Sequence, residues 1–109
     1  MRVYCRVVHT VIVTLPVSGP GSLGEYDEMV RIEGIISDVA EAAGGYVDGH
    51  DFGAGDANIF VFCPDADGLL DAMQPRLAEA RLPSGSSALK RYGDDPDDPD
   101  VREVRVVLA

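Results

Sequence analysis

Between Arg2 and Leu15 the chain alternates: Val3, Cys5, Val7, Val11 and Val13 share one parity, and Arg2, Tyr4, Arg6, Thr10 and Thr14 the other. Alternate residues of a strand face opposite sides, so this segment is predicted to be a first strand with one apolar face and one polar, partly aromatic face. It is long for a strand, and a bulge or bend is expected near His9-Thr10. Leu15–Gly24 is rich in Pro, Gly and Ser and reads as a loop. The period then changes. Met29, Ile32, Ile36, Val39, Ala40 and Ala43 recur at helical spacing, predicting a helix over Glu25–Ala43. Acids at Glu25, Asp27 and Glu28 suit its positive end, and Gly44-Gly45 stops it. Gly34 in mid-helix costs about 1 kcal/mol against alanine, which close packing on a sheet would explain.

Two further strands, Tyr46–Phe52 and Ala57–Cys63, are joined by the turn Gly53-Ala54-Gly55-Asp56. Ile59-Phe60-Val61-Phe62-Cys63 is apolar on both parities, which suits a central strand. A second helix over Ala66–Arg81, capped by Asp65, turns Leu69, Leu70, Met73, Leu77 and Ala80 inward. Pro75 removes a backbone donor there, so a kink or a broken turn is expected. Ser87–Tyr92 reads as a short strand. Val101–Ala109 reads as a last one, with Val104, Val106 and Leu108 inward.

This order is β-α-β-β-α-β with an extra strand. It predicts one ferredoxin-like α+β domain over residues 1–109: an antiparallel sheet of four or five strands with two helices on one face. Right-handed crossovers put the first strand beside Ala57–Cys63 in the middle of the sheet. Helices over Val3, Cys5, Val7, Ile59, Val61, Val104 and Val106 leave the other face bare. That face is expected to carry Tyr4, Arg6, Val8, Thr10, Phe60, Phe62, Arg105 and Lys90 or Arg91, with Asp48 and His50 on the neighbouring strand. Burying each phenylalanine gains roughly 1.5–3 kcal/mol, and such a patch marks an interface. Tyr4, Arg6, His50, Phe60, Phe62 and Arg105 are therefore the candidate binding residues, and the face is expected to be covered by a homodimer formed sheet against sheet or by the Leu15–Gly24 loop.

Charge narrows the partners. Nineteen Asp and Glu against nine Lys and Arg give a formal net charge of −10, which repels nucleic acid and anionic membrane and attracts basic partners. Asp94–Asp100 is an acidic loop, expected to be exposed and mobile. Nothing approaches the roughly 18 consecutive apolar residues of a membrane helix, so a soluble, cytoplasmic protein is expected. Cys5 and Cys63 sit at apolar strand positions without CxxC or metal spacing and are expected to be reduced and buried.

The chemistry is sparse. Asp48-Gly49-His50-Asp51 with Asp56 is the densest set of possible ligands, but the twelfth position counted from Asp48 is Ile59 and not the glutamate of a calcium loop. Zinc or iron would need more His or Cys, so neither metal nor cofactor is expected. His50 and Asp48, two apart on a strand, would share a face and form a conceivable acid–base pair, without a nucleophile or phosphate loop beside them. Phe60-x-Phe62 with Tyr4 resembles the stacking aromatics of an RRM domain, but Asp56-Ala57-Asn58 stands where that motif needs a basic-glycine start, and RNA binding is not expected. The chain is similar to small uncharacterised bacterial proteins carrying a GGYxDGHxFGxG…IFVF hairpin and an LKRYG segment, here Leu89-Lys90-Arg91-Tyr92-Gly93; that resemblance implies the βαββαβ plan and no particular activity. The expected function is a non-enzymatic acidic interaction protein, an immunity- or inhibitor-like partner of a basic protein being one version. The alternative is an enzyme or small-molecule domain holding an anionic ligand near Arg6, His50 and Arg105.

Overall fold

The computed structural model describes residues 9–19, 21–93 and 98–109. Val3, Tyr4, Cys5, Arg6, Val7 and Val8 lie outside the described residues, as does the Asp94–Asp97 part of the acidic loop. The elements run β1 (His9–Pro16), α1 (Leu23–Ala42), β2 (Tyr46–Gly53), β3 (Asp56–Cys63), α2 (Ala66–Ala80), β4 (Ser87–Arg91) and β5 (Glu103–Val107). The five strands form one antiparallel sheet in the order β2-β3-β1-β4-β5, with β1 in the middle between β3 and β4. Its pairing with β3 is continuous from His9 to Pro16, with no bulge among these described residues.

Parity works as expected on the two central strands. Val11, Val13 and Leu15 of β1 and Ala57, Ile59, Val61 and Cys63 of β3 are buried in one cluster with Met29, Ile32 and Ile36 of α1 and Leu69, Met73 and Leu77 of α2. Both helices therefore cover the same face. The last strand is shorter than Val101–Ala109, and Val104 and Val106 are only half-buried, β5 lying at the sheet edge.

The helix ends follow local chemistry. α1 begins at Leu23, two residues before Glu25, because Ser22 and Glu25 form a reciprocal capping box: the Ser22 Oγ accepts from the Glu25 amide, and the Glu25 carboxylate accepts from the Ser22 amide. Its far end closes through Gly44, in the left-handed region at φ 81°, with the amides of Gly44 and Gly45 donating to Glu41 and Ala40. Asp65 caps α2 by accepting from the Asp67 amide, and the helix runs through Pro75 without a broken turn. Gly34 is also unlike its expectation. A side-chain carbon built there meets no atom within 4 Å, so close packing on the sheet is not what places a glycine at this position. The helices pack against each other with a polar tie: Arg31 pairs with Glu28 and donates to the Ala80 carbonyl at the end of α2. The Arg31–Glu28 hydrogen bond lowers the Glu28 pKa and raises that of Arg31.

Candidate functional site

The face of the sheet away from the helices is organised by register into three full rows and a short fourth, Gly53, Asp56 and Pro16, at the β2–β3 turn. The middle row crosses the strands as Gly49, Phe60, Ile12, Leu89 and Arg105. Toward the β2–β3 turn the row is Asp51, Asn58, Thr14, Ser87 and Val107; on the other side it is Tyr46, Phe62, Thr10, Arg91 and Glu103. The middle of the face is apolar, with Phe60, Phe62, Ile12 and Leu89 all partly exposed, and Tyr46 packs on Phe62 with ring centroids 5.7 Å apart. The rim is polar and carries charges of both signs. Asp51 accepts from Asn58 Nδ2 at 2.8 Å, which itself lies beside Thr14. Arg105 donates to Ser87 Oγ at 3.1 Å and remains exposed. Arg91 Nε lies 2.8 Å from Glu103 Oε2, yet it is buried and makes no well-angled hydrogen bond, so the two form a close ion pair rather than a formed hydrogen bond.

Of the six candidate binding residues, Phe60, Phe62 and Arg105 occupy this face, while Tyr4 and Arg6 lie outside the described residues. His50 does not belong to it. The pairing of β2 with β3 shifts between Val47 and Gly49, leaving Asp48 as an extra residue. One inserted residue flips every later side chain to the opposite face. His50 thus lies opposite Ile59 on the helix side, where its Nδ1 is 2.7 Å from Glu33 Oε2 of α1 and its ring meets Tyr26 edge-on. The His50–Asp48 pair on a shared face is corrected by the same bulge. So is the anionic-ligand pocket of Arg6, His50 and Arg105: His50 and Arg105 stand on opposite faces and on opposite edge strands, four strand spacings or about 19 Å apart.

Three concavities lie away from the middle of this face. A small apolar one of about 90 Å³ sits between the end of β1 and α1, lined by Leu15, Val17, Met29 and Ile32. An open depression flanks the β2–β3 turn near Phe52 and Asp56. A shallow groove of about 520 Å³ runs between α1 and β2 past Val30, Glu33, Gly34 and His50. None of the three is lined by Phe60, Phe62, Ile12 or Leu89.

A second polar cluster, missed from sequence, closes one end of the sheet. Asp67 at the start of α2 accepts from Lys90 Nζ at 2.8 Å and from the Tyr92 hydroxyl at 2.5 Å; Arg102 lies 4.8 Å from the Tyr92 ring and His9 meets that ring edge-on. The Lys90 hydrogen bond, then that of Tyr92, holds the Asp67 carboxyl below its usual range, and Asp67 raises the Lys90 pKa in return. His9 Nδ1 accepts the Ala66 amide of the first turn of α2 at 3.0 Å. These side chains spend their hydrogen bonds on tying β4 and β1 to the helix. The only signal was the run of Lys, Arg and Tyr in Leu89–Gly93, which alternation alone scatters over two faces.

Among the described residues no group of His, Cys, Asp and Glu is placed to hold a metal ion, and no helix is long and apolar enough to cross a membrane. Cys63 is buried with a free thiol, whose pKa burial pushes up to about 11. No family model, curated protein or solved structure matches the chain.

Proposed function

We propose that this chain is a ferredoxin-like, cytoplasmic binding protein without catalytic activity, whose working surface is the open sheet face covered by another protein surface. The ferredoxin-like reading treats β2-β3-β1-β4 with its two helices as the βαββαβ unit and β5 as an added edge strand. The observation that carries the functional reading is the contiguous group Phe60, Phe62, Ile12 and Leu89 on the bare side of the sheet, ringed by Asp51, Arg91, Glu103 and Arg105. An apolar centre with a polar rim is the anatomy of a protein–protein interface. A flat patch with no enclosing walls gives a small molecule little to bury itself in.

The distribution of charge also bears on the partner. The whole chain carries −10, and the rim of this face sets three acids, Asp51, Asp56 and Glu103, against Arg91 and Arg105. A polyanion finds no net attraction there, and most of the acidic surplus that would steer a basic protein lies elsewhere on the molecule. The test is radical footprinting of Phe60 and Phe62. Labelling of both rings is expected to be strongly reduced in an extract of the native host relative to the purified chain at high dilution. Equal labelling in the two samples overturns the reading.

A further inference from the structure

We infer that the surface covering the open face is a second copy of this chain, stacked sheet on sheet about a twofold axis that runs along β1; this rests on the open face being the working surface. Sheets that pack face to face keep their strands within about 30° of each other. That leaves a two-fold dimer two arrangements, with the axis along the strands or across them, and the register decides between them.

With the axis across the strands, the middle row folds onto itself strand by strand. Arg105 of β5 then meets Arg105 of its mate directly, and the nearest acid, Glu103 one row away, is already paired with Arg91, which disfavours the pairing. With the axis along β1, β2 of one copy faces β5 of the other, and β3 faces β4. Arg105 then lies over Gly49, where the absence of a side chain leaves room for it, and one row from Asp51, about 6.8 Å along the strand and within reach of an arginine. Phe60 meets Leu89, and Ile12 meets itself on the axis. Phe62 meets Arg91, a guanidinium over an aromatic face. Arg105 thus finds both a gap and an acid, while Glu103 lies over Tyr46 and Asp51 over Val107, each contact made twice by symmetry.

The size of the face sets the strength. The strands hold 8, 8, 8, 5 and 5 residues, which at strand spacing and rise make about 540 Å² in projection. That projection is below the roughly 800 Å² per partner of a standard interface. A reversible, concentration-dependent dimer is therefore expected rather than an obligate one.

Sedimentation velocity of the purified full chain over a concentration series tests this. Wild type is expected to show a monomer–dimer equilibrium. Arg105→Ala and Asp51→Arg are each expected to weaken it about tenfold, and Asp51→Arg combined with Arg105→Asp to recover most of that loss. Both positions are exposed edge residues, so folding is checked by circular dichroism and retained. A dimer that tightens in Arg105→Ala has its axis across the strands and overturns the geometry, as does a dimer that none of the three variants alters. A wild-type monomer at every concentration overturns self-pairing altogether. Continued protection of Phe60 and Phe62 in host extract alongside a monomeric purified chain would leave the open face as a surface for a different protein.

Discussion

His50 and Phe60 stand on opposite faces of the sheet although both belong to the same hairpin, because the extra residue Asp48 displaces the alternation of β2 by one step. The consequence is a His50–Glu33 contact of 2.7 Å between edge strand and helix, with the side chains only 27% and 21% exposed. Its energy is that of a partly shielded surface pair, and His50→Ala is expected to lower stability by about 0.5–1 kcal/mol in urea denaturation. Glu33→Ala should cost little more in the His50→Ala background. Additive losses in that double-mutant cycle would mean that the two side chains act independently.

Two glycines make opposite predictions. Gly34 sits inside α1 with open space where a methyl group would go, so Gly34→Ala is expected to raise stability by about 1 kcal/mol through helix propensity alone. Gly45 is different: a side-chain carbon there runs into the carbonyl oxygen of Phe62, a backbone atom that cannot swing aside. Gly45→Ala is expected to destabilise by about 1–3 kcal/mol. Thermal melts of the two variants check the pair, and a stabilised Gly45→Ala would show that the α1–β2 connection is looser than its geometry indicates.

This contrast indicates what the sequence could convey. Alternation in Val11–Leu15 and Ala57–Cys63 revealed which side chains go beneath the helices, because burial selects residue type at every second position and the signal repeats. Helical spacing from Met29 to Ala40 was equally plain. The start of α1 was readable too, in the Ser22-x-x-Glu25 box, but the glycines around it mask the signal. The bulge at Asp48 was not readable. It leaves no apolar mark, since Tyr46–Gly53 is an edge strand with little burial to enforce a pattern, and so the parity of His50 came out inverted. The polar cluster of Asp67, Lys90 and Tyr92 depends on two elements more than twenty residues apart meeting in space, which local periodicity does not encode.

Acid should weaken the fold through three carboxylates. Asp67 is held below its usual range by Lys90 and Tyr92, Glu25 chiefly by the Ser18 amide and then by Ser22, and Glu28 by Arg31. A carboxyl whose folded-state pKa is depressed contributes stability above its unfolded value, and that contribution disappears as pH falls through the folded one. The urea midpoint should therefore decline on acidification below the ordinary carboxylate range. Asp67→Asn should make that decline shallower, and salt should blunt it because all three groups are at the surface. Lys90 acts on the alkaline side: its pKa is raised, so its share is complete below the ordinary lysine value and is lost only as pH climbs through the folded one. An acid limb unchanged by Asp67→Asn would remove Asp67 from this account.

The last prediction concerns Cys63, at the end of β3 where it pairs with His9 and lies in the core without any solvent exposure. Burial raises its thiol pKa to about 11, so almost none of it is thiolate near neutral pH, and the thiolate is the reactive form. In a Cys5→Ser background, where Cys63 is the sole thiol, Ellman's reagent at about pH 8 is expected to react only as fast as the core opens. Urea above the unfolding midpoint should release one full equivalent at once, and a stabilising change such as Gly34→Ala should slow the native reaction in proportion to the opening equilibrium. Rapid labelling under native conditions, unaffected by stability, would place Cys63 on a path open to solvent and contradict its burial beneath the helices.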